Sequence, residues 1–125
     1  MTPEAENYLK KASENLDEAR KIAGIGLPKA AARSAYYAAF HAAQSFIVER
    51  TGKIAKTHSG VRSEFARLTR EKSGSPFSTF LAQAYLYKEN ADYSVSGAPE
   101  LTMVEANDAI AMADRFIGWA RTELE

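Results

Sequence analysis

One row of polar side chains runs along a long, alanine-rich segment of the sequence that is predicted to be helical. Arg33, Tyr37, His41 and Ser45 follow one another at intervals of four residues, so they lie on one face of a helix. This row combines a guanidinium, a phenol, an imidazole and a hydroxyl on an otherwise alanine-rich helix. Such a combination indicates a surface for binding or catalysis. The alternative is that Tyr37 and His41 pack inside a bundle with their polar atoms hydrogen-bonded, and spacing leaves both interpretations open.

A second group follows a short loop and combines two lysines with a histidine at a predicted helix start. Lys53 and Lys56 precede Thr57 and His58, and Gly60 comes two residues later. If Thr57 is the N-cap, free backbone N–H groups lie beside these cations, an arrangement that suits phosphate. Gly60 would let a ligand approach closely. The alternative is a capped helix start with solvated lysines.

A third group lies near the end of the predicted fourth helix, where Lys88, Asp92 and Tyr93 occur together. Asp92 and Tyr93 are candidates for ligand binding, or else they only terminate the helix. His41 and His58 have no third ligand at a characteristic spacing, so we predict no metal site. Neither a P-loop nor a Gly-x-Ser-x-Gly elbow is present, and we expect no cofactor.

The elements that must position these residues are predicted to be helices. Alanine occurs 23 times in 125 residues, whereas Val and Ile together number ten, which favours helix over strand. Five helices are predicted, with helices 2 and 5 central: Thr2 (N-cap, then Pro3) to Gly24, Pro28 to about Arg50, Thr57 (N-cap) to Lys72–Gly74, Ser75 (N-cap, then Pro76) to Asn90–Tyr93, and the Thr102-x-x-Glu105 capping box to Leu124. The segment Ser94–Glu100 is predicted to be a long loop. Short connections favour an up-and-down antiparallel bundle that forms one domain over residues 1–125.

Charge is balanced overall but not along the chain. Lys and Arg number 16, as do Asp and Glu, and cysteine is absent, which excludes thiolate metal sites and thiol catalysis. Residues 50–72 carry seven Lys and Arg against two Glu, a net charge of +5, and residues 89–125 carry two Arg against eight acids, a net charge of −6. These segments are either ordinary solvated helix faces or a phosphate-binding patch and its acidic counterpart. No apolar run reaches about 18 residues, so we expect a cytoplasmic protein without a membrane span.

The order of these motifs resembles the HEPN family, the higher-eukaryote and prokaryote nucleotide-binding domain. The resemblance covers nearly the whole chain and rests on an opening Tyr8-Leu-Lys-Lys-Ala helix, Arg33-Ser-Ala-Tyr-Tyr-Ala-Ala-Phe-His41, Lys56-Thr-His58-Ser-Gly60-Val, Ala91-Asp92-Tyr93 and an amphipathic final helix. It implies about five antiparallel helices around a four-helix core, a homodimer, and a minimal nucleotidyltransferase as partner in a toxin–antitoxin-like pair.

The resemblance also bears on catalysis, because many HEPN proteins are metal-independent ribonucleases that use an Arg, a short spacer and a His. Here Lys88 and Tyr93 stand where that Arg and His are expected. Tyrosine has an ordinary pKa near 10 and is a poor general base at neutral pH. The catalytic residues are therefore unknown, and the usual ribonuclease activity is not expected.

Three hypotheses follow: a non-catalytic nucleotide- or RNA-binding partner of a nucleotidyltransferase, a divergent ribonuclease toxin that uses His41 or His58, and a helical dimerisation module without a ligand. A dimer is expected because 13 aromatic residues exceed what one inward stripe per helix can cover. For the first hypothesis we predict one phosphate-binding cleft, formed by Arg33, Tyr37, His41, Lys56, His58, Lys88, Asp92 and Tyr93.

Overall fold

The computed structural model describes residues 1–93 and 100–125, and in these residues all regular structure is helical. The five helices are α1 (Pro3–Gly24), α2 (Pro28–Thr51), α3 (His58–Thr69), α4 (Ser75–Tyr93) and α5 (Met103–Leu124). The predicted all-α bundle is confirmed. Most of the predicted loop Ser94–Glu100 lies outside the described residues. No helix in the described part of the chain is long and apolar enough to cross a membrane.

Three predicted helix starts are confirmed by their capping hydrogen bonds. The Thr2 side chain accepts from the Ala5 N–H at 3.2 Å, and Thr57 accepts from the Gly60 N–H at 3.0 Å. At α5, Thr102 and Glu105 form both bonds of the capping box. Each cap satisfies an N–H group that has no partner inside the first helical turn.

The boundary between α3 and α4 differs from the prediction. α3 ends at Thr69 rather than at Lys72–Gly74, since Arg70 has an extended ψ of 124° and Glu71 adopts a left-handed φ of 58°. α4 then includes Ser75 instead of being capped by it. The Gly74 carbonyl accepts from the N–H groups of Phe77 and Ser78, at 3.0 and 3.3 Å, and so begins the helix.

The bundle is organised around α2, which packs against all four other helices. Seven of its eight alanines are fully buried, so the neighbouring helices approach its backbone closely. α5 packs against α1, α2 and α4. The prediction that α2 is central is therefore confirmed, whereas α5 is one of the helices arranged around it.

Cross-helix contacts show the direction in which each helix runs. α1 is antiparallel to α2, because Ser45 Oγ donates to the Ala5 carbonyl and Ser34 Oγ to the Asn15 carbonyl. α3, in contrast, runs in the same direction as α2, since His58 lies beside Phe40 and Phe65 beside Phe46, with ring centroids 5.0 and 5.5 Å apart. The segment 52–57 thus doubles back along α2 and brings the start of α3 to its middle. The short connection of an up-and-down bundle would instead place the start of α3 near the C-terminal end of α2.

Nearly all the aromatic side chains pack within one copy of the fold. One cluster lies at the end of the bundle that holds Trp119, whose ring is 4.9 Å from Phe46 and 5.5 Å from Phe77. A second cluster surrounds Tyr36. Of the aromatic residues, Tyr93 alone is highly exposed, at 70%. A surplus of aromatic residues is therefore no argument for a dimer.

Gly74 is the glycine on which this packing depends most. A Cβ atom there would lie 2.5 Å from Trp119 Cζ2 and 2.8 Å from Thr69 Cγ2. We expect Gly74→Ala to lower the free energy of unfolding by about 1–3 kcal/mol, as overpacking of a core does, measured by urea denaturation. Gly118→Ala is the matched control, because a Cβ at Gly118 meets nothing within 4 Å. It should leave stability unchanged or raise it by up to about 1 kcal/mol; equal losses in both variants would contradict this account.

Candidate functional site

Two cations from different helices converge on one carboxylate where the end of α4 meets the start of α2. Arg33 Nε lies 2.7 Å from Asp92 Oδ1, and Lys88 Nζ lies 3.1 Å from Asp92 Oδ2. The Lys88 side chain is only 9% exposed and that of Asp92 21%. Glu89 is a more distant partner, with Oε1 3.9 Å from Lys88 Nζ.

These contacts keep Asp92 and Lys88 ionised. Burial raises the pKa of Asp92, but hydrogen bonds from Lys88 and Arg33 outweigh it and hold that pKa below its usual value. The hydrogen bond to Asp92 in turn raises the pKa of Lys88. At neutral pH the carboxylate therefore neutralises one of the two positive charges, and a net positive charge remains on the three groups.

His58 lies next to this ion pair and is held by a buried tyrosine. Tyr36 is fully buried, and its hydroxyl is 2.6 Å from His58 Nδ1. Burial raises the pKa of Tyr36 far above its usual value, although nearby Arg62 opposes the rise. Tyr36 thus remains protonated, and we assign its hydroxyl as the donor to Nδ1, which places the proton of neutral His58 on Nε2.

The same surroundings keep His58 neutral. Burial lowers the pKa of His58, and the positive charges of Lys88 and Arg62 lower it further. A neutral imidazole in this tautomer presents an N–H donor at Nε2. It has no free nitrogen lone pair with which to act as a general base.

Arg62 and Tyr85 complete the site, and we did not predict either of them. The Arg62 guanidinium carbon lies 4.0 Å from the centre of the Tyr85 ring, and Arg62 Nη1 is buried without a hydrogen-bond partner in the described part of the chain. The sequence held a signal for both. Arg62 is four residues after His58, and Tyr85 is three before Lys88, so each shares a helix face with a residue that we did select.

Tyr37 and Tyr93 add two further rings at the edge. The guanidinium carbon of Arg33 is 5.0 Å from the centre of the Tyr37 ring, and Lys88 Nζ is 5.6 Å from that of Tyr93. We call this group the cation–aromatic site; its members are Arg33, Tyr37, His58, Arg62, Tyr85, Lys88, Asp92 and Tyr93. Guanidinium and ammonium groups bind phosphate, and tyrosine rings stack with bases.

His41 is placed at the flank of this site. Its ring is 6.4 Å from Tyr37 and 6.3 Å from Tyr8, and its Nδ1 lies 2.7 Å from Gln44 Oε1. Gln44 Nε2 donates to the Ala55 carbonyl at 2.8 Å, which turns Oε1 toward His41. His41 therefore carries its proton on Nδ1, the opposite tautomer to His58, while burial lowers its pKa.

The remaining residues of the predicted groups do not join the site. Lys56 is exposed and makes no ion pair among the residues that the structure describes. Ser45 is buried and bonded to the Ala5 carbonyl. At Gly60 an added Cβ would lie 2.6 Å from Thr57 Oγ1, so this glycine makes room for the capping hydroxyl.

Known proteins share both the sequence pattern and the fold. The family model described as the HEPN domain matches residues 5–123. The crystal structure of TT1696 from Thermus thermophilus is similar, with a TM-score of 0.76 and 22% identity over 98% of this chain and 100% of that one. That of ST0689, an archaeal HEPN homologue, has a TM-score of 0.75 and 24% identity over 99% of this chain and 100% of that one. No curated protein sequence matches the chain.

The hydrogen bonds of the two histidines predict opposite tautomers. At pH 7 we expect neutral rings, with the proton on Nε2 in His58 and on Nδ1 in His41, because Tyr36 donates to the former and Gln44 accepts from the latter. Long-range ¹H–¹⁵N correlation spectra distinguish the two forms. Tyr36→Phe removes the hydroxyl that fixes the tautomer of His58, so both neutral forms of His58 should be observed. The tautomer of His41 should stay unchanged. A His58 ring protonated on Nδ1 in the wild type would contradict the arrangement.

Proposed function

The chain belongs to the HEPN domain family, whose model matches residues 5–123, and from that premise we propose that its cation–aromatic site binds the phosphates of RNA or of a nucleotide. The observation that carries the proposal is the position of Asp92. Its two carboxylate oxygens are held by Arg33 and Lys88, so the two cations converge on a single anionic group. A phosphate presents oxygens to such a pair in the same way.

Asp92 then competes with the phosphate for the two cations. A ligand phosphate binds the two cations only where it displaces this carboxylate, so the negative charge of Asp92 opposes binding. The neutral His58 offers an additional N–H donor, and Arg62 a further positive charge. The rings of Tyr37, Tyr85 and Tyr93 are available for stacking with bases, which tolerates many sequences.

We propose that this binding is not accompanied by the usual HEPN ribonuclease chemistry. Lys88 and Tyr93 stand at the positions expected for Arg and His, and the tautomer of His58 leaves that ring without a free lone pair. The family resemblance supports a cytoplasmic homodimer that works with a minimal nucleotidyltransferase in a toxin–antitoxin-like pair.

A second candidate function, metal-independent RNA cleavage, is favoured by one observation at His41. Its Nδ1 is bonded to Gln44, so Nε2 carries the lone pair that a general base needs. Cleavage of RNA in the presence of a chelator, abolished by His41→Asn but not by His58→Asn, would establish it. Asparagine keeps a donor toward Gln44 at position 41 and cannot titrate.

RNA binding is predicted to depend on Lys88 and to weaken with salt. We expect a fluorescein-labelled single-stranded RNA to bind, with affinity that falls linearly on a log–log plot as salt rises, since binding to phosphates releases counterions. Lys88→Met should lower affinity about tenfold, whereas Asp92→Asn should raise it because a competing negative charge is removed. The measurement is fluorescence anisotropy, with melting curves to show that each variant is folded.

Lys21→Met is the matched control, since Lys21 is exposed on α1 and lies outside the site. It removes the same charge and should change affinity little. Equal losses of RNA affinity in the Lys21 and Lys88 variants would mean that the RNA is attracted only by the overall charge of the protein. Absence of binding in both the wild type and Asp92→Asn would refute the proposal.

The proposed homodimer has a candidate contact next to the site. Leu86 is 66% exposed and lies on α4, seven residues before Tyr93 at the edge of the site. We expect sedimentation velocity at micromolar concentration to give about twice the 13.7 kDa of one chain, and Leu86→Glu to shift the distribution to the monomer, because it places a charge in an apolar contact. A wild-type protein that sediments only as a monomer would contradict the dimer.

A further inference from the structure

A groove between α4 and α5 is not used by the proposed function. The two helices meet at one end, where the Phe77 ring lies 5.0 Å from Phe116 and 5.5 Å from Trp119. Of the helix pairs that touch in the described part of the chain, α4 and α5 share the least contact. The space between them is a cavity of about 350 Å³ that is open to solvent.

The groove has an apolar floor, with two acids at one end and Arg115 at the other. Phe80 and Ala109 are buried in its floor and Met112 is partly buried. Glu105 and Asp108 line the end that includes Tyr87. Burial raises the pKa of Tyr87, and the negative charges of Glu105 and Asp108 raise it further, so their field reaches into the groove.

The dimensions of the groove match a short helix. Its lining residues extend from Pro76 to Tyr87 on α4 and from Glu105 to Arg115 on α5. At 1.5 Å per residue each wall is about 15 Å long, or about three helical turns. Grooves of this kind accept the apolar face of an amphipathic helix, with anchor residues at positions i, i+3 or i+4, and i+7.

We propose that this groove is the docking site for a basic amphipathic helix of a partner protein. Charge complementarity identifies the occupant: Glu105 and Asp108 line one end of the groove and would pair with Lys or Arg beside the apolar anchors.

The groove is also separate from the cation–aromatic site, so this inference does not rest on RNA binding. At about 100° per residue, Thr79, Gln83 and Tyr87 lie on the side of α4 opposite to Tyr85, Lys88 and Asp92. A partner helix and a phosphate ligand can therefore be bound at the same time, and the two proposals can fail independently.

The test uses a designed helix as the probe. A labelled peptide of about 12 residues, with leucines at i, i+4 and i+7 and lysines beside them, matches the three turns of the groove; its counterpart carries glutamates in place of the lysines. We expect the lysine peptide to bind the full chain and the glutamate peptide to bind at least about tenfold more weakly, a difference of about 1.4 kcal/mol. Asp108→Lys and Gln83→Lys, both at exposed positions, should each weaken binding of the lysine peptide by a similar factor.

Glu18→Lys is the matched control, because it makes the same charge change on the exposed side of α1. It should leave the affinity unchanged, and amide shifts on peptide addition should be centred on Gln83 and Ala109. Absence of binding, or equal losses in the Glu18 and Asp108 variants, would overturn the proposal. So would a change in sedimentation caused by Asp108→Lys alone, which would identify the groove as an interface between copies.

Discussion

The burial of α2 on nearly all sides is the constraint on which the rest of the structure depends. Its alanines bring the neighbouring helices so close that little room is left for water, and a polar group left unpaired there would be costly. Each buried polar side chain accordingly has a fixed partner: Ser34 bonds the Asn15 carbonyl, Ser45 the Ala5 carbonyl and Gln44 the Ala55 carbonyl. Where the polar row leaves the interior, at Arg33, Tyr37 and the Nε2 atom of His41, its groups are available for a ligand.

α4 distributes the other surfaces around its circumference. One side packs into the core through Leu81 and Ala84 and, further along the helix, carries Lys88 and Asp92; the opposite side faces the groove shared with α5. Since these sides belong to one rigid helix, the phosphate site and the groove are held at a constant separation. The apolar core thereby determines the geometry of both polar surfaces.

Local signals in the sequence were sufficient to predict the helices but not all of the site. Threonine caps and proline act within one turn, so the starts at Thr2, Thr57 and Thr102 could be predicted. The return of segment 52–57 along α2 depends on long-range contacts, such as that of Gln44 with Ala55, which no local pattern encodes. For that reason the partnership of Tyr36 with His58 was missed, and Lys56 was included although it stands apart. Arg62 and Tyr85 could have been predicted, because the spacing rule that selected Arg33 and Tyr37 applies equally to them.

The far end of α2 anchors both ends of the described chain. The Thr2 N–H donates to the Glu49 carboxylate at 3.1 Å, and Arg50 Nη2 donates to the Glu123 carbonyl at 3.3 Å. Arg33 lies 16 residues before Glu49, about 24 Å along the helix axis. An affinity tag, a surface tether or a fused domain added at either terminus would therefore lie at the end of the bundle that is remote from the ion pair of Arg33 and Asp92. Closely spaced termini also make the chain a natural candidate for circular permutation, in which a short linker joins them and new ends are opened elsewhere.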